Sequence, residues 1–299
     1  MDGRYAPSPT GSLHLGNLRT ALVAWLFARA AGSRFVMRVD DLDSGRSRER
    51  YVAEQLGDLR ALELTWDGEP LRPSARAGAY DAAIAQLRAD GLVYECWCTR
   101  AEIREAASAP HGALAEGAYP GTCRELSAAQ RAEREAGGRP AALRVRAGGA
   151  EMRIEDRLAG TVTGVVDDFV VRRNDGDHAY NLAVVVDDAE QGVQEVVRGA
   201  DLLDSTPRQA WLAQTLGLTV PAHAHVALVV GDDGRRLAKR HGAVTLAERA
   251  AAGEDALQTR ALLARSLGLA AAGETPTLAE LLARFDPAAL PAQPTVLAA

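Results

Sequence analysis

Between Gly3 and Val39 the chain passes from strand to turn to helix to strand, and this order constrains the fold more than any other feature of the sequence. Gly3-Arg4-Tyr5-Ala6 reads as a short strand. Pro7-Ser8-Pro9-Thr10-Gly11 cannot be helix interior, because proline lacks a donor and restricts the residue before it, so the strand ends in a turn. From Leu18 to Ala30 the residues Leu18, Ala21, Leu22, Trp25, Leu26 and Ala28 recur at helical spacing, and Gly32 supplies a stop. Phe35-Val36-Met37-Arg38-Val39 is again β-type. The order predicts an α/β protein that opens a parallel sheet, with ligands at the carboxyl ends of the strands and His14 to Asn17 at a helix N-terminus.

Composition narrows the class. The 299 residues, 47% hydrophobic and 25% charged, suit a globular protein of two or three domains. The net charge of −6 excludes a polycation that holds nucleic acid by bulk attraction, so any such contact must be local. No basic stretch leads into an apolar run at the N-terminus, and no long uncharged apolar stretch follows, so a cytoplasmic protein with no membrane partner is expected. Three cysteines cannot build a disulfide framework.

Further along, Arg48 to Leu62 and Ala79 to Asp90 read as helices, and the composition changes at Glu95-Cys96-Trp97-Cys98. Arg144-Val145-Arg146, Val162 to Val171 and Ala183 to Val186 read as strands of an insertion with its own small sheet. Strand character resumes at Val193 to Val197 and His225 to Val230, around a helix near Pro207 to Leu216. Ala256 to Leu267 and Leu278 to Phe285 read as helices, whereas residues 287–299 lack periodicity and are expected to be partly disordered. The expected division is a split catalytic domain, 1–94 and 187–235, an inserted domain, 95–186, and a helical region, 236–299.

Two segments carry phosphate chemistry. His14-Leu15-Gly16-Asn17 opens a helix after a strand, where backbone donors and the positive dipole end meet phosphate, and His14 can donate to a phosphoryl oxygen. Arg235-Arg236-Leu237-Ala238-Lys239-Arg240-His241-Gly242 is a basic loop holding Lys239, the one lysine among 34 basic residues. Lysine is a compact point charge where arginine is a planar fork, so its single use points to chemistry at Lys239. Cys96, Cys98 and Cys123 suit a structural zinc that needs a fourth ligand, for which ordinary coordination chemistry prefers His111.

The run from Arg4 to Leu22 resembles the HIGH-motif segment of the glutamyl subgroup of class I aminoacyl-tRNA synthetases, and Arg236 to Arg240 resembles their KMSKS loop. Arg38-Val39-Asp40-Asp41-Leu42-Asp43, Tyr180 to Asp188, Val197 to Asp201 and Thr206 to Gln209 match as well, in the family's order. The resemblance implies a Rossmann-type nucleotide-binding fold with an inserted zinc-bearing unit and a short helical C-terminal part. It also implies activation of glutamate by ATP with magnesium. Arg4, Ser8, Asp40, Tyr180 and Arg198 would line the glutamate pocket. His14, Gly16, Asn17, Arg236 and Lys239 would hold ATP, with His14 and Lys239 stabilising phosphate charge in catalysis. Cys96, Cys98, Tyr119 and Cys123 would bind the zinc.

The chemistry agrees with those assignments: arginines grip the two carboxylates of glutamate, and one acid pairs its ammonium. Asp40 stands where the family usually has Glu, Ala238 replaces the loop's serine, and Arg236 replaces its first lysine. Only residues 241–299 follow the KMSKS-like loop, where the full-length subgroup continues into a large anticodon-binding part. The resemblance is therefore to the truncated branch, whose members activate glutamate without tRNA and attach it to queuosine in the anticodon of tRNA(Asp), and a monomer is expected. A minimal enzyme charging tRNA(Glu), or a non-catalytic relic that binds glutamate or RNA, are the rival readings.

Overall fold

A computed structural model describes residues 1–107, 118–235, 237 and 244–297, except for the side chains of 106 and 107. Its first half runs β1 (Gly3–Tyr5), α1 (Leu15–Ala30), β2 (Phe35–Met37), α2 (Glu49–Ala61), α3 (Ala77–Ala89), β3 (Val93–Cys96), α4 (Arg100–Ala107), α5 (Ala128–Ala136) and β4 (Ala142–Val145). Then come β5 (Ala150–Asp156), β6 (Gly160–Val166), β7 (Val170–Arg172), α6 (Tyr180–Glu190), β8 (Glu195–Gly199), α7 (Thr206–Thr215), β9 (Ala222–Val226) and β10 (Val229–Val230). The chain finishes with α8 (Leu246–Ala251), α9 (Ala256–Ser266), α10 (Leu278–Arg284) and β11 (Thr295–Val296).

The main sheet has the order β2-β1-β8-β9-β5-β6, parallel from β2 through β5 and closed by the antiparallel hairpin β5–β6. From β1 the chain crosses through α1 to β2 on one side, while β8 lies on the other, so a crevice opens at the carboxyl ends of β1 and β8. The nucleotide-binding α/β class expected from the first strands is the fold found.

Helix α1 starts at a reciprocal cap: Asn17 N donates to His14 Nδ1 and His14 N donates to Asn17 Oδ1, both at 3.2 Å. It ends at Gly32, whose φ of +62° only glycine adopts cheaply. Along its length α1 is buried on nearly every face, including Leu18, Leu22, Val23 and Leu26, as befits a helix covered on both sides. The sheet covers one side. The other packs on α9 and α10, where Phe27 meets Phe285 edge to face at 5.3 Å. Near its N-terminus Arg19 pins the helix, donating from Nη1 to Ala227 O (2.8 Å), from Nε to Ser266 Oγ (3.0 Å) and from Nη2 to Thr295 Oγ1 (3.2 Å).

Three sequence expectations are corrected. Ala183 to Val186 is not a strand but the middle of α6; its valine run favours β structure locally, yet burial against α3 and α7 makes it helical. Val162 to Val171 is not one strand of the small sheet: its first part lies in β6, which pairs with β5 and extends the main sheet beside β9, and its end lies in β7 of the small sheet β3-β4-β7. Residues 287–297 are ordered by a 3₁₀ turn and by β11, which pairs with β10 and meets Arg19.

Candidate active site

A cleft of about 510 Å³ lies at the carboxyl ends of β1, β2 and β8, above the N-terminus of α1. Arg4, Ser8, Asp40, Tyr180 and Arg198 all line it. So do His14, Gly16 and Asn17, so every described residue assigned to glutamate or ATP comes to one place. Arg236 and Lys239 lie outside the described residues, but both flanks of the basic loop are fixed there. Leu237 N donates to Val229 O at 3.3 Å, Leu15 N donates to Val244 O at 2.7 Å, and His14 and Thr245 form a bridge.

The cap of α1 sets the chemistry of His14. Because Nδ1 accepts from Asn17 N, the neutral ring carries its proton on Nε2, the nitrogen able to donate to a phosphoryl oxygen. Gly16 makes room for that ring, since a Cβ there would sit 3.0 Å from two imidazole atoms.

The floor of the cleft is cationic. Arg4 Nε (3.3 Å) and Arg38 Nη2 (2.6 Å) share Asp188 Oδ1, which reaches them from α6. Burial alone would raise the Asp188 carboxyl, but the charges of Arg38 and Arg4 hold it below the usual carboxylate range. Beside it, Asp187 accepts from Arg76 Nε and Tyr80 Oη, each at 2.7 Å.

Arg198 differs from these. It is buried at the end of β8, and its hydrogen bonds go to His225 Nε2 (3.0 Å), Gln209 Oε1 (2.8 Å), Thr206 Oγ1 (2.8 Å), Ser205 Oγ and Leu202 O, all neutral. Burial pulls its pKa below the ordinary arginine value, partly countered by the phenol of Tyr180. A buried guanidinium held only by neutral acceptors favours an anionic ligand. The expected two-pronged grip is limited, however, because Nε and Nη2 are committed to protein and Nη1 alone keeps an N–H beyond its bond to Gln209.

Asp40 faces these cations from the loop after β2. Ser8 Oγ donates to its Oδ2 at 3.2 Å, and burial raises its pKa against the opposing pull of Arg38 and Ser8. Its neighbour Asp41 is occupied in the framework, accepting from Ser74 N, Ser74 Oγ and Arg72 Nε. Asp40 lines the cleft together with Asp187, which Arg76 and Tyr80 occupy, and Asp201.

A second cluster forms where β3 runs out. Cys96, Cys98 and Cys123 bring their sulfurs within 4.8 Å of one another, with Cys98 and Cys123 3.5 Å apart. The Tyr119 hydroxyl lies 3.3 Å from Cys96 Sγ and 3.8 Å from Cys98 Sγ. Ligands about 2.3 Å from a tetrahedral zinc are about 3.8 Å apart, so the cluster fits that ion with little adjustment. Burial and the neighbouring thiols push Cys98 up to about 12, the state a bound dication reverses. His111 lies outside the described residues.

With this geometry in hand, likeness to known proteins is informative. Residues 1–286 match the family model for tRNA synthetases class I (E and Q), catalytic domain. The chain belongs to that family. It is 62% identical over 295 residues to a Nocardia farcinica protein named glutamyl-Q tRNA(Asp) synthetase, covering 99% of this chain and 92% of that one. It is 49% identical to a Symbiobacterium thermophilum protein of the same name, covering 98% and 94%. Among solved structures, the glutamate-tRNA synthetase from Elizabethkingia anophelis superposes with a TM-score of 0.86 at 25% identity, spanning all of this chain and 68% of that one.

For this class I member the sequence reading missed Asp188, Arg38, Gln209 and His225 as builders of the site. Arg38 and Asp188 stood within the quoted motifs, but their pairing across 150 residues left no local signal. None of the described helices is long and apolar enough to cross a membrane.

Asp188→Asn strips the shared anion from two buried guanidinium groups and is expected to cost about 3–5 kcal/mol in urea unfolding at neutral pH. Because the folded carboxyl is held low, this contribution is present above the unfolded value near 4 and fades as pH falls through the folded one. A loss below about 1 kcal/mol at neutral pH would show that Arg4 and Arg38 do not depend on it.

Proposed function

We propose that this chain activates L-glutamate with ATP in the absence of tRNA and transfers it to queuosine in the anticodon of tRNA(Asp). Family membership supports glutamate, ATP and a tRNA as substrates, and the printed names of the relatives from Nocardia farcinica and Symbiobacterium thermophilum support the choice of RNA. The observation that carries the glutamate reading is Arg198, a buried cation with only neutral partners, facing the same cleft as Asp40.

In this reading Arg4 and Arg198 receive the side-chain carboxylate, with Tyr180 against Arg198, while Asp40 and Ser8 take the ammonium. The α-carboxylate then points toward α1 and attacks the α-phosphorus of ATP, and the bond to pyrophosphate breaks. No general base is needed, because the attacking group is already ionised. The Gly16 N–H, His14 Nε2–H, Arg236 and Lys239 stabilise charge on the phosphates, the Asn17 N–H being engaged in the helix cap. Magnesium entering with ATP would supply further positive charge to the leaving group. The glutamyl-adenylate then yields its acyl group to a queuosine hydroxyl, releasing AMP. Zinc held by Cys96, Cys98, Cys123 and Tyr119 would tie the end of β3 to the segment before α5 and serve the fold.

The chain should exchange labelled pyrophosphate into ATP on addition of glutamate alone. It should also transfer labelled glutamate to queuosine-containing tRNA(Asp), and not to the same tRNA without queuosine. Failure of the exchange would remove the enzymatic reading, and label on the 3′-terminal adenosine of tRNA(Glu) would replace it with a minimal glutamyl-tRNA synthetase. Elemental analysis should find one zinc per chain, lost in Cys123→Ser with a lower melting temperature. Protein purified without chelators and free of zinc would refute the metal site.

A further inference from the structure

Behind Arg198, on the side away from the cleft, lies a buried chain of polar groups that the reaction does not use directly. Asp156, the last residue of β5, and His225 on β9 have side chains 1% and 0% exposed. His225 stands beside Arg198 in the β8–β9 register. Asp156 Oδ2 meets His225 Nδ1 at 2.6 Å, and His225 Nε2 meets Arg198 Nε at 3.0 Å and the Thr206 hydroxyl, itself an acceptor from Arg198, at 3.2 Å. The other carboxylate oxygen, Oδ1, accepts three backbone N–H groups, from Leu158 (3.0 Å), Ala159 (2.8 Å) and His225 (3.1 Å).

The protons in this chain follow from donor chemistry. Arginine Nε offers only a donor, so His225 Nε2 must present its lone pair. The ring proton then sits on Nδ1 and needs an acceptor, which Asp156 Oδ2 provides. An imidazolium would set Nε2–H against the Arg198 Nε–H and a second positive charge against the first. We propose that Asp156 and His225 are positioning residues for substrate recognition: the carboxylate fixes the imidazole tautomer, and the imidazole fixes the guanidinium that receives the substrate carboxylate. This rests on the reading of the cleft as a glutamate site.

The backbone bonds to Oδ1 make the relay testable by a nearly isosteric change. In Asp156→Asn the amide oxygen must keep the place of Oδ1, where three donors converge. The new NH₂ therefore faces His225 Nδ1, which becomes an acceptor, and the ring proton moves to Nε2, where it can donate to Thr206 Oγ1 while the acceptor for Arg198 Nε–H is lost. Arg198 loses its aim although no side-chain volume has changed.

With ¹⁵N-histidine and ¹⁵N-arginine labels, the unaltered full chain should show the Nδ1–H tautomer for His225 and a slowly exchanging Arg198 Nε–H. Asp156→Asn should show the Nε2–H tautomer and a fast-exchanging Arg198 Nε–H. In glutamate-dependent pyrophosphate exchange, KM for glutamate should rise roughly tenfold or more in Asp156→Asn while KM for ATP stays within about twofold. His225→Gln, whose amide oxygen can accept from Arg198 at the same place, should stay within about threefold of the original glutamate KM, and His225→Leu should not. This pair decides the matter if Asp156→Asn fails to fold.

An Nε2–H tautomer in the unaltered chain would overturn the proposal. So would an unchanged glutamate KM in a folded Asp156→Asn, or equal damage from His225→Gln and His225→Leu. If the unaltered chain shows no exchange activity, the glutamate reading fails, while the two resonance signatures still judge the relay.

Discussion

Two buried guanidinium groups share one carboxylate at the base of the cleft, and the site is built around that arrangement. Asp188 reaches from α6 to Arg4 on β1 and to Arg38 just past β2, joining the ends of two parallel strands to a helix that lies far away in sequence. A buried charge without a partner costs several kcal/mol, and the aspartate offsets much of that cost for both arginines, with Gln191 Oε1 as a further acceptor for Arg38. The pairing satisfies Asp188 and leaves the floor with more positive charge than negative. Asp187, next in the chain, is meanwhile taken by Arg76 and Tyr80.

From that base the cleft acquires a polarity. Arg198 is held by neutral acceptors alone, and Asp40 lines the same cleft with a carboxyl that burial raises against the pull of Arg38 and Ser8. At the other end α1 presents its N-terminus and His14 Nε2–H, with the flanks of the basic loop fastened beside it through Leu237 and Val244. A ligand with a carboxylate at its inner end, an ammonium beside it and an anionic group facing phosphate meets complementary charge along its whole length.

How much of this was legible in the sequence differs by residue. The strand–turn–helix–strand opening was clear because prolines, glycines and helical spacing act over a few residues, and it put His14 at a helix N-terminus; Arg4, Ser8 and Asp40 were assigned by resemblance, and all four line the cleft. Tyr119 was assigned beside the three cysteines by resemblance, and its hydroxyl lies among their sulfurs. Helix α6 was read as a strand because a valine run carries β preference, and only packing against α3 and α7 overrides it. Strand β5 has the alternating pattern expected of a half-buried strand, with Ile154 inward and Glu151, Arg153 and Glu155 outward, yet nothing local shows which sheet it joins. Asp156 and His225 are 69 residues apart, and a relay that passes through tertiary contacts has no sequence signature.

The most direct measurement is a crystal structure of the chain with a non-hydrolysable analogue of glutamyl-adenylate. The ligand's side-chain carboxylate should lie about 2.7–3.2 Å from nitrogens of Arg4 and Arg198, its ammonium in contact with Asp40 or Ser8, and its phosphate mimic at the N-terminus of α1 beside His14. An analogue bound with its ammonium away from Asp40 and its carboxylate away from both arginines would contradict the account.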